Sequence, residues 1–251
     1  MRHHHFILLL LAFAVISCQS PGKPTLSFAR QIPIDSTVAS DSSISATIAP
    51  LRDSVEAIMN EVIGSSPKEI FSEKPESPLS SFVADLLKET AVEELNESGK
   101  EALPVITVIN IRGLRAPLPK GVIKVKDIYA LMPFENQMII LKMSGKDIKS
   151  LYQHMGESGG DGLSGGSFTF NNQSVKNPEI NNKPLKEDAF YYVVTSDYLA
   201  TGGDHYNIFA NAVEKHESSN KIRDLIIQHI RELNAQGKQI QTPSNQRIKM
   251  Q

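Results

Sequence analysis

A carboxylate stands behind two glycines and beside an aromatic ring in the segment 195–209. Gly202 and Gly203 allow a tight turn, so the Asp204 carboxylate that follows them can be aimed at a fixed point. An ionised carboxylate only accepts hydrogen bonds and offers two oxygens, which suits a pair of neighbouring hydroxyl groups, while Tyr198 offers a ring. The segment predicts a site for a diol and a ring. The simpler alternative is a strand-to-helix turn in which Asp204 caps the next helix.

Two further segments carry complementary side chains. Asn110 and Arg115 lie in a loop that leaves a buried strand, a usual position for ligand contacts, and Phe134 directly precedes the next strand. With Tyr198 and Asp204 they supply an amide, a cation, two rings and a carboxylate, which are suitable groups for a nucleoside phosphate. Each ring could instead be an ordinary core residue, and Arg115 a solvated surface arginine.

The elements that must position these side chains follow from hydrophobic patterning. Runs of apolar, β-branched or aromatic residues predict strands over 104–110, 138–143 and 190–195. Helical spacing and caps predict helices from 48 to Gly64, from Ser77-Pro78 to about Glu97, from Ser144-Gly145 through His154, and over 222–233. The glycine-rich segment 156–166 is interpreted as a flexible loop at an edge, because it lacks the Lys-Ser/Thr of a phosphate-binding loop.

Composition limits the class of protein. A chain of 251 residues with 40% hydrophobic content predicts one large domain with appendages. The net charge of −2 argues against nucleic acid as a partner. Because Cys18 is the one cysteine of the chain, an intramolecular disulfide and a zinc site built on several thiolates are excluded.

The N-terminal segment predicts export. Residues 1–17 combine a basic start with a short apolar run, as in a signal peptide, and Ser17-Cys18 resembles the end of a bacterial lipobox. We therefore expect Cys18 to be lipidated and the protein to be held by lipid in the bacterial cell envelope, on the periplasmic face. An ordinary secretory peptide is the alternative. Residues 18–47, rich in Ser, Thr, Pro and Ala, are expected to be a flexible tether, followed by one domain over 48–251.

The motifs together resemble the C-terminal, substrate-recognition domain of the 5'-nucleotidases, over roughly Ile48 to Phe209. That family has an Asn-Gly-Gly-Gly-Ile-Arg loop, then Leu-Pro-Phe, then aromatic-Leu-Ala-x-Gly-Gly-Asp. The resemblance implies an α+β fold of mixed sheets with packed helices, layered α-β-β-α. It implies that Phe134 and Tyr198 sandwich the base, Asp204 accepts from the ribose hydroxyls, Asn110 contacts the base edge and Arg115 holds ribose or phosphate. The matching residues here are Asn110, Arg115, Phe134, Tyr198 and Asp204.

Two departures from the family pattern affect the expected site. Ile111 and Arg112 replace two glycines, and a β-branched residue resists positive φ, so the loop backbone is expected to differ. Pro75 stands where the family has an arginine, which removes one phosphate or ribose contact. Lys74 or Arg112 could partly replace that contact, although a lysine binds less well as a bidentate partner.

The family enzymes also carry an N-terminal metallophosphatase domain that holds two metal ions, and we expect none here. The histidines are isolated, so a base or ligand role for His205 is disfavoured, and no metal or other cofactor is expected on this chain. Divalent metals are expected on a partner metallophosphatase chain. Three hypotheses remain: the recognition half of a split nucleotidase, a module that captures nucleosides without hydrolysis, and a structural envelope protein.

Overall fold

The computed structural model of the protein describes residues 29–243 and 246–251. The predicted signal peptide, Cys18 and the first part of the predicted tether lie outside the described residues. By compactness the chain divides into residues 1–49 and 50–251, within the first helix. Within the described part, no helix combines the length and the apolar character needed to cross a membrane.

Helices and strands intermix along the chain. The helices are α1 (Ser42–Met59), α2 (Pro78–Glu97), α3 (Val125–Leu131), α4 (Gly145–Glu157), α5 (Asp197–Ala200) and α6 (Ile222–Ala235). The strands are β1 (Val62–Ser66), β2 (Val105–Ile109), β3 (Gly121–Lys124), β4 (Gln137–Ser144), β5 (Gly162–Ser164), β6 (Gly166–Asn171), β7 (Ser174–Ile180), β8 (Lys183–Pro184), β9 (Phe190–Ser196), β10 (Glu214–Lys221) and β11 (Ile248–Met250). The predicted mixture of strands and helices is confirmed.

Three sheets organise these strands. The central sheet has the order β10-β4-β9-β2-β5, in which β2 runs parallel to β9 and the other pairs are antiparallel. A second sheet has the order β11-β6-β7-β8, and β1 pairs with β3 in a two-stranded ribbon. The prediction of mixed sheets with packed helices is therefore confirmed.

Strands β2, β4 and β9 of the central sheet are buried on both faces, because helices α2, α3 and α6 cover one face while α4 and the second sheet lie against the other. Val105, Ile140 and Val194 point into the first core, and Ile106, Leu141 and Val193 point into the second. Burial on both faces explains why β2 and β9 are continuous apolar runs in the sequence.

Helix α2 begins where its sequence predicts. The Ser77 side chain accepts from the backbone N–H of Ser80, the Ser80 hydroxyl accepts from the Ser77 N–H, and Pro78 occupies the first helical position. These contacts satisfy N–H groups that have no partner inside the helix. The predicted bounds of α2 and of α6 are confirmed closely, as are the strands β2, β4 and β9 and the helix that starts after Ser144.

The first helix differs from its prediction at both ends. It begins at Ser42, inside the predicted tether, because the Asp41 carboxylate accepts from the N–H groups of Ser43 and Ile44. It ends at Met59, since the helical spacing that continues to Val62 and Ile63 belongs to strand β1, and Gly64 lies within that strand rather than ending the helix. No residue of α1 is buried.

The glycine-rich segment is ordered, so its interpretation as a flexible loop is wrong in part. Residues 162–164 form β5, an edge strand that pairs with β2, and Gly166 begins β6. All of β5 is buried, with Leu163 in the second core. The glycines favoured the prediction of a loop, because the pairing of β5 with β2, which is distant in sequence, leaves no local signal.

Candidate functional site

The candidate site lies at one edge of the central sheet, where three strands place their ends together. Strands β2 and β9 are parallel, so the residues that follow each of them emerge at the same edge. Strand β4 is antiparallel to β9, with Met138 opposite Ser196, so the residues that precede β4 reach that edge too. The fold therefore brings together a loop after β2, a segment before β4 and a turn after β9.

A cleft with a volume of about 280 Å³ opens at this edge. All five residues predicted to bind a nucleoside line it. Arg112, which the sequence offers as a partial replacement for the missing family arginine, also lines it, as do Gly113 and Asn136, which sequence reasoning did not assign to a binding site. The lining is Asn110, Arg112, Gly113, Arg115, Phe134, Asn136, Tyr198 and Asp204.

The Asp204 carboxylate is held in the cleft by two side chains. Asn110, which is buried, donates from Nδ2 to Asp204 Oδ2 at 2.7 Å. The Tyr198 hydroxyl donates to Asp204 Oδ1 at 3.0 Å and accepts from the Asp204 backbone N–H at 3.2 Å. Each carboxylate oxygen has a second lone-pair site, so Asp204 keeps the capacity to accept from a ligand hydroxyl.

The turn that carries Asp204 depends on the two glycines before it. Gly202 has a φ of 94°, and Asp204 itself has a φ of 48°, a left-handed conformation that Asp tolerates better than most side chains. A Cβ atom on Gly203 would stand 2.5 Å from Cζ of Tyr198 and 2.6 Å from the Tyr198 carbonyl oxygen. Gly203 therefore packs directly on the Tyr198 ring and fixes its place.

The two predicted rings are accessible in the cleft. Phe134 is 43% exposed and Tyr198 is 45% exposed, so neither is an ordinary core aromatic. The Arg115 guanidinium carbon lies 6.0 Å from the centre of the Phe134 ring, at the outer limit of a cation–π contact. The arrangement offers two half-exposed apolar faces, a cation and a fixed carboxylate to one small molecule.

Comparison with known proteins identifies the family of the chain. The family model described as 5'-nucleotidase, C-terminal domain, matches residues 62–211. The chain belongs to this family. The match covers the three segments that form the cleft.

Relatives of this 5'-nucleotidase C-terminal domain are much longer chains. This chain is 25% identical over 202 residues to the trifunctional nucleotide phosphoesterase protein YfkN of Bacillus subtilis, and the match covers 72% of this chain and 13% of the relative. The chain is 31% identical over 104 residues to a 5'-nucleotidase of Vibrio parahaemolyticus, and that match covers 39% of this chain and 19% of the relative. A crystal structure of a 5'-nucleotidase precursor from Thermus thermophilus has a TM-score of 0.68 at 22% identity, covering 82% of this chain and 42% of that one. The chain thus spans less than half of each.

The departures from the family pattern are accommodated in this domain. Residues Ile111–Gly113 form a single 3₁₀ turn, and neither Ile111 nor Arg112 adopts a positive φ. The β-branched residue is buried in the turn without backbone strain, and Arg112 points to the surface at the cleft. Lys74, the residue beside Pro75, does not line this cleft.

A second cleft of about 380 Å³ adjoins the first and shares Arg112 and Asp204 with it. Lys74 and His205 line this cleft, and the Lys74 ammonium donates to the Ser158 carbonyl oxygen. Its cations face the acidic residues Glu157 and Asp161, so the second cleft is mixed in charge.

Asp161 is a buried support of the site that the sequence did not reveal. It is 4% exposed, and its carboxylate accepts from the Ile111 N–H at 2.9 Å and from the Tyr206 hydroxyl at 2.5 Å. Burial raises the pKa of Asp161 above its usual range and outweighs both hydrogen bonds, and burial likewise raises the pKa of Tyr206. Asp161 thereby joins the turn after β2 to the turn after β9. Its position in a glycine-rich stretch concealed this role.

Asn136 was also missed, although it stands two residues after Phe134. Its side-chain amide donates to Asp197 Oδ1 at 2.7 Å, which connects the segment before β4 to helix α5. Within residues 29–243 and 246–251, no group of three or more His, Cys, Asp or Glu side chains could hold a metal ion. The expectation that metals belong to a partner chain stays a prediction.

Proposed function

We propose that this chain is the nucleoside-recognition component of a 5'-nucleotidase and acts in the breakdown of nucleoside phosphates. The supporting observation is the single cleft in which Asp204, already oriented by Asn110 and Tyr198, lies beside two half-exposed rings. Phe134 and Tyr198 would stack on the base, and the Asp204 carboxylate would accept from the ribose diol. Membership of the 5'-nucleotidase family and the names of the relatives support a nucleotide rather than another ligand with a ring.

In this proposal Asn110 contacts the base edge and Arg115 contacts ribose or phosphate. Arg115 is exposed and is free to move towards a phosphate, since its described contacts are both long: 3.5 Å to the Arg112 carbonyl oxygen and 6.0 Å to the centre of the Phe134 ring. Stacking tolerates every base, so broad base preference is expected.

Hydrolysis is assigned to a separate metallophosphatase chain with divalent metals, because the described residues contain no cluster that could hold them. The protein without residues 1–18 should bind adenosine and AMP in isothermal titration and should leave AMP intact with Mg²⁺, Mn²⁺ or Zn²⁺. Isolation of the protein from its native envelope should recover the metallophosphatase, which should hydrolyse AMP faster when this chain is added. Hydrolysis of AMP by this chain alone would contradict the assignment of hydrolysis to a separate chain.

Capture of nucleosides without hydrolysis is the second candidate, and the absence of an arginine at Pro75 favours it. Without that arginine the hold on a phosphate is weaker, while the base and ribose contacts remain in place. Equal affinities for adenosine and AMP, together with no effect on any metallophosphatase, would select this candidate.

Lipid attachment through Cys18 in the bacterial envelope, on the periplasmic face, forms part of the proposal. In cells grown with radiolabelled palmitate, the full chain should carry label and partition into the membrane fraction. The Cys18→Ala variant should lose the label, whereas the neighbouring Ser20→Ala variant should keep it. Label on Cys18→Ala would exclude this site.

A further inference from the structure

The Phe134 side of the cleft is carried by a segment with no regular structure of its own. Residues 132–136 lie between helix α3 and strand β4, outside both elements. Phe134 and Asn136 in this segment line the cleft, and neither lies within helix α3 or strand β4. Contacts from another part of the fold are therefore needed to hold the Phe134 ring in place.

Three consecutive residues at the junction of β10 and α6 contact three consecutive residues of this segment. The Arg223 guanidinium donates from Nη1 to the Phe134 carbonyl oxygen at 3.3 Å. The Ile222 N–H donates to the Asn136 carbonyl oxygen at 2.9 Å. Between these two contacts, the exposed Glu135 carboxylate receives both Lys221 at 2.5 Å and Arg223 Nη2 at 2.6 Å. Residues 221–223 thus contact residues 134–136 through four hydrogen bonds, two of which converge on Glu135.

Arg223 is the buried charged member of this set. It is 4% exposed, and its guanidinium carbon lies 4.1 Å from the centre of the Tyr129 ring, so the planar group stacks on an aromatic face. Glu135 is largely in solvent and Lys221 is partly exposed, so their ion pair contributes little by itself. The pKa of Glu135 is held below its usual range by Lys221 and then Arg223, so the carboxylate stays charged at neutral pH.

We infer that Arg223 is a positioning residue for ligand binding: it fixes the Phe134 backbone so that the ring faces the cleft as a stacking surface. Arg223 lies outside the cleft, and it lies beyond residue 211, where the match to the family ends. This inference rests on the proposed function, since it concerns a ring that stacks on a base.

A double-mutant cycle on the full chain tests the inference. Arg223→Met keeps an apolar stem against Tyr129 and removes the donors, so the Kd for adenosine should rise about five- to tenfold, a partial loss of one stacking contact. In a Phe134→Ala background, where the ring is already absent, the same change should alter the Kd less than about twofold. An equal effect in both backgrounds, or none in the wild-type background, would overturn the inference.

The chain supplies a matched control on the same helix. Arg231 donates from Nε and Nη2 to the Glu61 carboxylate at 3.1 and 2.7 Å and lines neither cleft. Arg231→Met should leave the Kd for adenosine within about twofold. If Arg223→Met does not fold, Arg223→Lys takes its place in the cycle, with an expected rise of about two- to fivefold because one ammonium cannot bind both acceptors. Wild-type affinity in Arg223→Lys would then overturn the inference.

Hydrogen exchange without ligand separates failure of this inference from failure of the proposed function. The Ile222 amide, which donates to Asn136, should exchange faster in Arg223→Met than in the wild type and should be unchanged in Arg231→Met. A wild-type chain that binds neither adenosine nor AMP would refute nucleoside recognition. Unchanged exchange at Ile222, in a chain that does bind adenosine, would refute the positioning role alone.

Discussion

The two sides of the cleft are held in different ways. On the polar side, Asp204 is fixed by direct hydrogen bonds from Asn110 and Tyr198, and Asp161 joins the two turns that carry them. On the aromatic side, Phe134 has no polar atom in its side chain, so hydrogen bonds can hold only its backbone, and these come from the β10–α6 junction. A site for a sugar and a base therefore needs two kinds of support: side-chain contacts for the carboxylate and backbone contacts for the ring.

The largest effect on the polar side is expected from Gly203→Ala. The added Cβ would stand 2.5 Å from the Tyr198 ring and 2.6 Å from a backbone oxygen, so the turn must shift, at a cost of about 1–3 kcal/mol in unfolding free energy. Binding of adenosine should fall by more than about a hundredfold, because Tyr198 and Asp204 both move and each then holds the ligand less well. Thermal unfolding and isothermal titration measure the two effects. Gly237→Ala is the control. Gly237 has a φ of 68°, so an alanine there costs stability, but nothing lies within 4 Å of the added Cβ and Gly237 lines neither cleft, so binding should be unchanged.

Asp204→Ala removes the proposed acceptor for the ribose diol without adding bulk. Adenosine binding should weaken by about 1.5–3 kcal/mol, the usual range for hydrogen bonds to a charged group. The loss should be smaller for 2'-deoxyadenosine, which has already lost one of the hydroxyls. Titration of both ligands against both proteins gives the comparison, and equal losses for the two ligands would contradict the diol role.

Phe134→Ala tests the aromatic side. It should weaken adenosine and guanosine alike by about 1–3 kcal/mol, because stacking depends on the face of the base and not on its edge. Phe134→Leu should recover part of the affinity through apolar contact. A variant that loses one base and retains the other would show that this side of the cleft reads the base edge.

Arg115→Ala should have a small effect on adenosine, below about 1 kcal/mol, since the cation–π contact at 6.0 Å is exposed. The effect on AMP should be larger if Arg115 reaches the phosphate. Competition between adenosine and AMP at two salt concentrations measures the difference, and salt should narrow it. Identical effects on both ligands would assign Arg115 to the ring alone.

Asp161→Asn examines the buried support of the polar side through pH. Because burial raises the Asp161 pKa in the folded state, the folded protein holds this proton more tightly than the unfolded chain does. Protonated Asp161 therefore stabilises the folded state. This contribution is complete at pH values below the unfolded-state pKa of 3.8, and it is lost as the pH rises through the folded-state pKa. In urea titrations, the unfolding free energy of the wild type should therefore fall relative to that of Asp161→Asn as the pH rises from about 3 to 7. If the difference between the two unfolding free energies stayed constant with pH, Asp161 would not be the group that titrates in this range.

Much of this fold could be predicted because its determinants are local. Ser77 and Pro78 specify the start of α2 within one turn, and the apolar runs at β2 and β9 are long enough to identify buried strands. Four of the predicted site residues follow a strand end or a glycine turn, and Phe134 precedes a strand. Their convergence follows from the topology, which places those ends at one edge.

The missed features depend on residues that are far apart in sequence. Strand β1 forms by pairing with β3, which lies 55 or more positions later in the chain. The helical spacing gives no sign of that partner, so the predicted helix extended into β1. Arg223 contacts Glu135 across 88 positions, and no local pattern in α6 distinguishes this arginine from Arg231. Asp161 supports the site from within a stretch whose glycines favoured a loop.

The contacts between the β10–α6 junction and the segment before β4 bear on where this domain ends. The match to the family model stops at residue 211, yet β10 forms an edge of the central sheet, and Ile222, Ile226 and Ile230 fill its first core. A fragment cut at the limit of that match would retain every residue that lines the cleft and would lack the residues that hold one of its sides. For this protein, the unit that the family match delimits is smaller than the unit that must be expressed, grafted or exchanged for the cleft to keep its shape.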